Sequence, residues 1–287
     1  ISEGHDQVRG WIYTLMVIST ALFDKPAFKN VIPTGLVLAS DGQKMSKSKN
    51  NYSPPIDVIN QFGTDPLRLY LLNSPIIKAD SIKFENKYVK EMNKNICIQY
   101  KNIVSFLTQS IELYTTKTGN NFNLLYLKDL INHPGTNCFD IWILNYLNTL
   151  IKTINNDLSE YKLTNIVSLI HNFVDKLSKV WLNINKNRLK AYDVSKADES
   201  YASLNVLFYC LKYSSILFTP FIPYTSEYIY QKLKYVENNG LEESVHLESY
   251  IHSILEHTDE KLLKQMEYFM ELTDCVRKVR ANNNISH

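Results

Sequence analysis

From about residue 85 onward, the apolar positions of this chain step by three and four. Val89, Met92, Ile96, Tyr100, Ile103 and Leu107 form one such series. Phe139, Trp142, Ile143, Tyr146, Leu147, Leu150, Ile154 and Leu158 form a second. Ile166, Leu169, Ile170, Phe173, Leu177, Val180, Trp181 and Ile184 form a third. Stripes of this spacing are the core-facing sides of amphipathic helices. Lys117-Thr118-Gly119-Asn120-Asn121 and His133-Pro134-Gly135 interrupt them with turn residues, and Thr219-Pro220-Phe221-Ile222-Pro223 precedes a helix at about 224–235. The pattern predicts an antiparallel helical bundle with no strands, in which Trp181 is a core residue.

The first 75 residues read differently. A polar opening leads into the apolar run Trp11–Phe23, which predicts a helix over 6–23, buried against a sheet and capped by Asp6. Val31 to Leu38 is β-branched and apolar and predicts a strand, closed by an Asp41-Gly42 turn. A helix follows from Pro55 to Phe62, and Asp65-Pro66 is expected to open another, with Asp at the cap and Pro at the first helical position. Alternating helix and buried strand point to part of a doubly wound α/β sheet, whose ligands lie beyond the carboxyl ends of the strands. Residues 76–90 are a more polar junction.

A length of 287 residues suggests two domains, and 45% hydrophobic content is enough for packed cores. The formal net charge of +2 means that any nucleic-acid affinity must come from a local patch. Cys97, Cys138, Cys210 and Cys275 are far apart, which predicts free thiols packed in helices and neither a disulfide frame nor a metal site. The longest apolar stretch, Trp11–Phe23, is shorter than the roughly 20 residues needed to cross a bilayer, so no membrane association is expected.

Candidate chemistry lies in three places. Lys44-Met45-Ser46-Lys47-Ser48 puts two ammonium groups three residues apart, on a loop just beyond a strand and a turn. Rotatable lysine donors there suit a triphosphate whose charge rises during reaction. Glu3-Gly4-His5-Asp6-Gln7 is dense in polar groups, and Gly4 allows close backbone approach to a ligand; an ordinary capped helix is the plainer explanation. Lys176, Lys179, Asn183, Lys186 and Lys190 share one helical face, with Asn187 and Arg188 nearby. That face is either solvated or a phosphate-tracking stripe for RNA, with the asparagines reading base edges.

Together these segments closely resemble the isoleucyl-tRNA synthetase family of class I. The resemblance rests on Glu3-Gly4, Asp6-Gln7, Arg9-Gly10-Trp11 and Gly35-Leu36-Val37-Leu38-Ala39-Ser40-Asp41-Gly42-Gln43-Lys44-Met45-Ser46-Lys47-Ser48. It continues through Asn51-Tyr52, Gly63-Thr64-Asp65-Pro66-Leu67-Arg68, Asp140-Ile141-Trp142-Ile143-Leu144, Pro220-Phe221-Ile222-Pro223 and Ser244-Val245-His246-Leu247. The wording around Lys44 is eukaryotic in type, which implies a cytoplasmic enzyme. The fold implied is the C-terminal part of a Rossmann-like α/β catalytic domain (1–75), a linking stem-contact segment (76–90), an all-α anticodon-binding bundle (91–257) and the start of a junction helix (258–287). The family's H-I-G-H-like tetrad and editing domain are missing and no Met opens the chain, so a fragment, inactive by itself, is expected.

The reaction implied is activation of isoleucine with ATP and Mg2+ to an adenylate, followed by transfer to tRNA(Ile). In the family, Lys44 and Lys47 would hold the β/γ-phosphates beside Met45 and Ser46. Glu3, Gly4 and Asp6 would lie near the adenosine ribose, Gln7 near the adenylate, and Trp11 at the wall of the isoleucine pocket. The bundle would carry Lys176, Lys179, Asn183, Lys186, Asn187, Arg188 and Lys190 toward tRNA. Alternatives are a valyl-type synthetase or a non-catalytic helical RNA-binding protein.

Overall fold

In the computed structural model, which describes residues 1–46, 51–52, 54–236 and 240–283, all the strands among those residues precede residue 84, and they pair in parallel. β1 (Ser2–Gly4) lies beside β2 (Ile32–Thr34), with Glu3 opposite Pro33. β3 (Val37–Leu38) lies beside β4 (Ile82–Lys83), with Val37 opposite Ile82. The single strand predicted over 31–38 is therefore two strands with different partners. Gly35 is the reason: a Cβ there would fall 1.9 Å from the Asp80 carbonyl oxygen, and its N–H donates to Ile76 O at 2.7 Å. The backbone turns aside at that point to receive the 75–78 turn.

The first predicted helix also divides. Residues His5–Arg9 form a 3-10 turn, Gly10 breaks it, and α1 begins at Trp11 and ends at Phe23. The positions preceding the turn and the helix are Gly4 and Gly10, and neither makes a side-chain cap bond, so Asp6 is not the helix cap. Nor is α1 buried: Ile12 is its one buried residue. α2 (Pro55–Phe62) starts and stops where predicted.

The chain divides into two compact units. The first comprises Ile1–Gln99, Asp157–Asn172 and Pro220–Thr225. Its core joins Val58 of α2, Tyr70 of α3 (Thr64–Leu72), Ile82 of β4 and Val89 of α4 (Asn86–Met92). The Tyr70 ring stands edge-on to Phe84, with centroids 5.4 Å apart, and its hydroxyl donates to Lys83 O at 3.2 Å, which ties α3 to β4. Asp65 is not the cap of α3, whose preceding residue is Gly63. It is buried, and its carboxylate accepts from the N–H groups of Tyr224 and Thr225, in the first turn of α11 (Pro223–Val236). Arg68 binds the carbonyls of Phe221 and Pro220 at 3.2 and 2.7 Å.

The second unit, Tyr100–Asn156, Phe173–Thr219 and Ser226–His287, holds helices and loops and no strand among its described residues. It holds α5 (Gln99–Thr118, from Tyr100), the short α6 (Leu127–Ile131), α7 (Cys138–Ser159, to Asn156) and the last residues of α8 (Ile166–Asp175). A π-helical segment, Lys176–Trp181, leads into α9 (Leu182–Leu189). α10 (Ala197–Phe218), the rest of α11 and α12 (Glu260–Asn282) complete it. α10 is buried on nearly every side, from Ala202 to Leu211 without a gap. Along the second and third predicted stripes Trp142, Ile143, Phe173, Leu177 and Trp181 are fully or almost fully enclosed, but Ile184, the last position of the third, is exposed. None of the four thiols is in a disulfide; Cys97 and Cys210 are buried but Cys138 and Cys275 are exposed, so only half of them pack as expected.

Candidate functional site

Both N-terminal polar segments follow the carboxyl end of a parallel strand, where open α/β sheets meet their ligands. At the end of β1, a Cβ on Gly4 would sit 2.6 Å from Asp6 Oδ1, so only glycine leaves room for the Asp6 carboxylate to fold back. Gln7 Nε2 donates to the other carboxylate oxygen at 3.3 Å, and Thr34 of the neighbouring strand donates to Glu3 O at 3.3 Å. The structure thus brings Glu3, Gly4, Asp6 and Gln7 into one polar corner. Trp11 stands one turn further on and is 49% exposed.

At the end of β3 the chain reverses tightly. Gly42 N–H donates to Ala39 O, Ala39 N–H to Gln43 O, and Gln43 N–H to the Asp41 carboxylate at 2.8 Å. The left-handed φ of 82° at Gly42 explains the Asp-Gly pair, since a side chain there would be strained. Lys44 then bridges back to Leu38 in antiparallel register, with its side chain exposed. Met45 and Ser46 are half-buried beside it. Lys47, the second expected lysine, lies outside the described residues.

Sequence reasoning assigned no role to Asn51. Its side-chain amide accepts from Ser46 N–H at 3.0 Å and donates to Lys44 O at 3.3 Å. Asn51, Met45 and Asp41 line a polar cleft of about 500 Å³ with Glu85 and Asn86, and Asn86 Oδ1 is buried there without a hydrogen-bond partner. No local periodicity signals such a contact, because the amide reaches back over a loop to non-adjacent backbone. Among the described residues, no three His, Cys, Asp or Glu side chains converge as a metal site would require.

The basic stripe of the helical unit does not survive as one face. Arg188 is the clearest correction. It lies two residues beyond Lys186, about 200° around an α-helix, and so points inward. Its guanidinium, 14% exposed, pairs with the fully buried Asp140 at 2.9 Å and donates to the carbonyls of Gly135 and Glu199. Asp140 also accepts from Trp181 Nε1 at 3.1 Å, and it exchanges reciprocal backbone bonds with Asn137 as a capping box for α7. Burial pushes the Asp140 carboxyl up from its ordinary value, while Arg188, the Asn137 N–H and Trp181 oppose that shift.

The remaining basic positions fall in separate surroundings. The π-helical segment at 176–181 interrupts the 3.6-residue period that the stripe assumed. Lys176 lies over the Tyr146 ring, 4.8 Å from its centroid, and Lys179 pairs with Asp175 at 2.7 Å. Lys179 and Asn183 border a groove of about 290 Å³ against α12, facing Phe269, Asp274 and Arg277. Asn187 borders a different cleft, with Tyr192, Lys196 and Glu199. Lys186 is exposed, and Lys190 is half-buried with its ammonium 5.9 Å from the Tyr192 ring.

The comparisons with known proteins span both units. The family of tRNA synthetases class I (I, L, M and V) matches residues 1–83, and the anticodon-binding domain of tRNA ligase matches 140–287. The cytoplasmic isoleucine–tRNA ligase of Caenorhabditis elegans is 36% identical over all of this chain, which covers 24% of that protein. The cytoplasmic isoleucine–tRNA ligase of Saccharomyces cerevisiae is 38% identical, again over the whole chain and 27% of its own length. The chain therefore spans about a quarter of the length of these relatives. Among solved structures, an Agrobacterium radiobacter LeuRS-tRNA-LeuAMS ternary complex shares the fold at a TM-score of 0.58 and 19% identity, over 91% of this chain and 29% of that one. A Mycobacterium tuberculosis methionyl-tRNA synthetase in complex with methionyl-adenylate aligns at 0.60 and 17%, over 79% of this chain and 42% of its own. The described residues include no helix long and apolar enough to cross a membrane. With a synthetase match over residues 1–83, which hold the strand leading to the Lys44 loop, and an anticodon-binding match over residues 140–287, more than half the chain, this protein belongs to the class I tRNA synthetases.

Proposed function

We propose that this chain supplies the lysine-loop part of the adenylation site and the anticodon-binding part of a cytoplasmic isoleucine–tRNA ligase. One observation carries the reading: the Lys44 loop lies at the end of a parallel strand, in a chain that aligns along its whole length with isoleucine–tRNA ligases. The strands β1–β4 belong on this reading to a Rossmann-like doubly wound sheet.

In the first step an isoleucine carboxylate oxygen attacks the α-phosphorus of ATP, and the bond to the pyrophosphate oxygen breaks. In the second, a hydroxyl of the terminal tRNA ribose attacks the acyl carbon and AMP leaves. Displacement at phosphorus is governed by positioning and charge stabilisation. Lys44, with Lys47, meets the negative charge that moves onto the leaving pyrophosphate, while Met45 and Ser46 border the nucleotide. Glu3, Gly4 and Asp6 approach the ribose and Gln7 the adenylate, and Trp11 forms a wall of the isoleucine pocket. Magnesium enters with the triphosphate as part of the substrate. Lys179 and Asn183 meet tRNA(Ile) at one cleft, Asn187 at the other and Lys186 on the exposed side of α9, together with Lys176 and Lys190. Arg188 has no part in this, because its donors are occupied inside.

Pyrophosphate exchange tests the proposal in an enzyme of the relatives' length that carries this sequence. Isoleucine drives exchange, and Lys44→Ala lowers the rate about 10²–10³-fold with isoleucine affinity unchanged. Exchange driven by valine alone would reassign the amino acid. No exchange with any amino acid, alongside retained RNA binding, would favour a scaffold.

A further inference from the structure

We infer that Asn51 is a positioning residue for the Lys44 loop, its carboxamide standing in for a neighbouring β-strand. An antiparallel strand pairs with its partner by offering one acceptor and one donor to an N–H and a C=O that flank a single residue. Asn51 offers that pair from its side chain, Oδ1 to Ser46 N–H at 3.0 Å and Nδ2 to Lys44 O at 3.3 Å, across Met45. The partners determine which way the amide faces, since an N–H needs the oxygen and a carbonyl needs the NH2.

The need for such a device follows from the loop itself. Upstream of Lys44 the backbone is held by β3, by the Asp41-Gly42 turn and by the bridge to Leu38. That bridge ends at Lys44, and no strand continues past it in the described residues. The turn thus holds Lys44 from the front, and the Asn51 amide binds its carbonyl and the Ser46 N–H from behind. A lysine whose carbonyl is clamped keeps its Cα and the root of its side chain in place, and only the flexible stem is left to find the phosphate. Preorganised charge stabilises a transition state because it needs no reorganisation when the reaction occurs. The cleft beside the clamp is lined by Asp41, Met45 and Asn86.

This inference rests on the lysine-loop reading for its catalytic consequence but not for the clamp. Two substitutions test it. Asn51→Ala removes both bonds, whereas the isosteric Asn51→Asp still accepts from Ser46 N–H but sets a carboxylate against the Lys44 carbonyl. In the longer enzyme carrying this sequence, both variants slow isoleucine-dependent pyrophosphate exchange about tenfold, the equivalent of ~1.4 kcal/mol. The loss falls on kcat and the ATP dependence, with the KM for isoleucine unchanged. Hydrogen exchange of the Ser46 amide rises about tenfold in Asn51→Ala and much less in Asn51→Asp. A residue that merely filled space would tolerate Asp, so an Asp variant with full activity overturns the inference, as does an Ala variant with unchanged exchange kinetics. Should the unaltered enzyme activate no amino acid, the adenylation reading fails. The clamp would then stand or fall on the Ser46 amide in Asn51→Ala alone, and unchanged protection there would end it.

Discussion

Two helices of this protein have similarly apolar sequences and opposite fates. α10 is buried around its whole circumference, the polar Ser203 and Asn205 included, and lies inside its unit, with Leu204 to Phe208 fully enclosed. α1 is more apolar still, yet Leu22 and Phe23 are each 69% exposed and Ile12 alone is buried. A helix apolar on all sides normally belongs in a core. α10 is enclosed because α6, α9 and other helices surround it; α1 has the composition, but among the described residues its main companion is the 3-10 turn that precedes it. Apolar sequence is thus a demand for burial, and whether the demand is met depends on what else is present to pack.

The comparison can be broken most forcefully where the buried unit holds charge. Arg188→Met leaves Asp140 enclosed and uncompensated and is expected to cost about 3–5 kcal/mol, read from urea unfolding of this chain. A loss below 1 kcal/mol would mean that water reaches Asp140 after all. Phe208→Ala, at the centre of α10, should cost a comparable 3–5 kcal/mol through the cavity it opens. Retained cooperativity with little loss would show that the second unit is loosely packed.

A pH series provides a gentler probe of the same unit. Burial raises the Tyr146 hydroxyl to about 12, helped by Glu267, and burial likewise puts Tyr250 at about 12. In the unfolded chain these phenols ionise near 10. The unfolded state therefore binds fewer protons between those values, and stability falls as pH rises from about 10 toward 12. Urea midpoints at rising pH should decline, and Tyr146→Phe should flatten the decline; a midpoint independent of pH would contradict it. The smallest effect is expected in α1, where Leu22→Gln should alter stability by no more than about 0.5 kcal/mol. A larger loss would place a partner over that face and dissolve the contrast between the helices.

Much of the fold was legible because its cues are local. The three-and-four spacing of α7 and α8, the bounds of α2 and the Asp-Gly turn before Lys44 all follow from periodicity, proline and glycine. Other features were illegible because their partners are distant in sequence. Asp65 looked like the cap of its own helix, but the N–H groups it satisfies belong to Tyr224 and Thr225. Arg188 looked like one more cation near a basic stripe until Asp140 claimed it. The lysine loop was visible as a motif, whereas the amide that holds it was not, since a side chain bonding to backbone five and seven residues earlier leaves no pattern.

By itself, the sequence determined the helical character of the chain beyond its first quarter, the class of chemistry its lysines suit and the family to which the chain belongs, but it gave no sign of β1 or β4. Those depend on residue type and spacing within a turn or two. Tertiary structure alone decided which charged groups face solvent, where the strand at Gly35 divides and which apolar helix is enclosed. Each of these is settled by groups arriving from elsewhere in the chain, and an interaction energy exists only once both partners are in place.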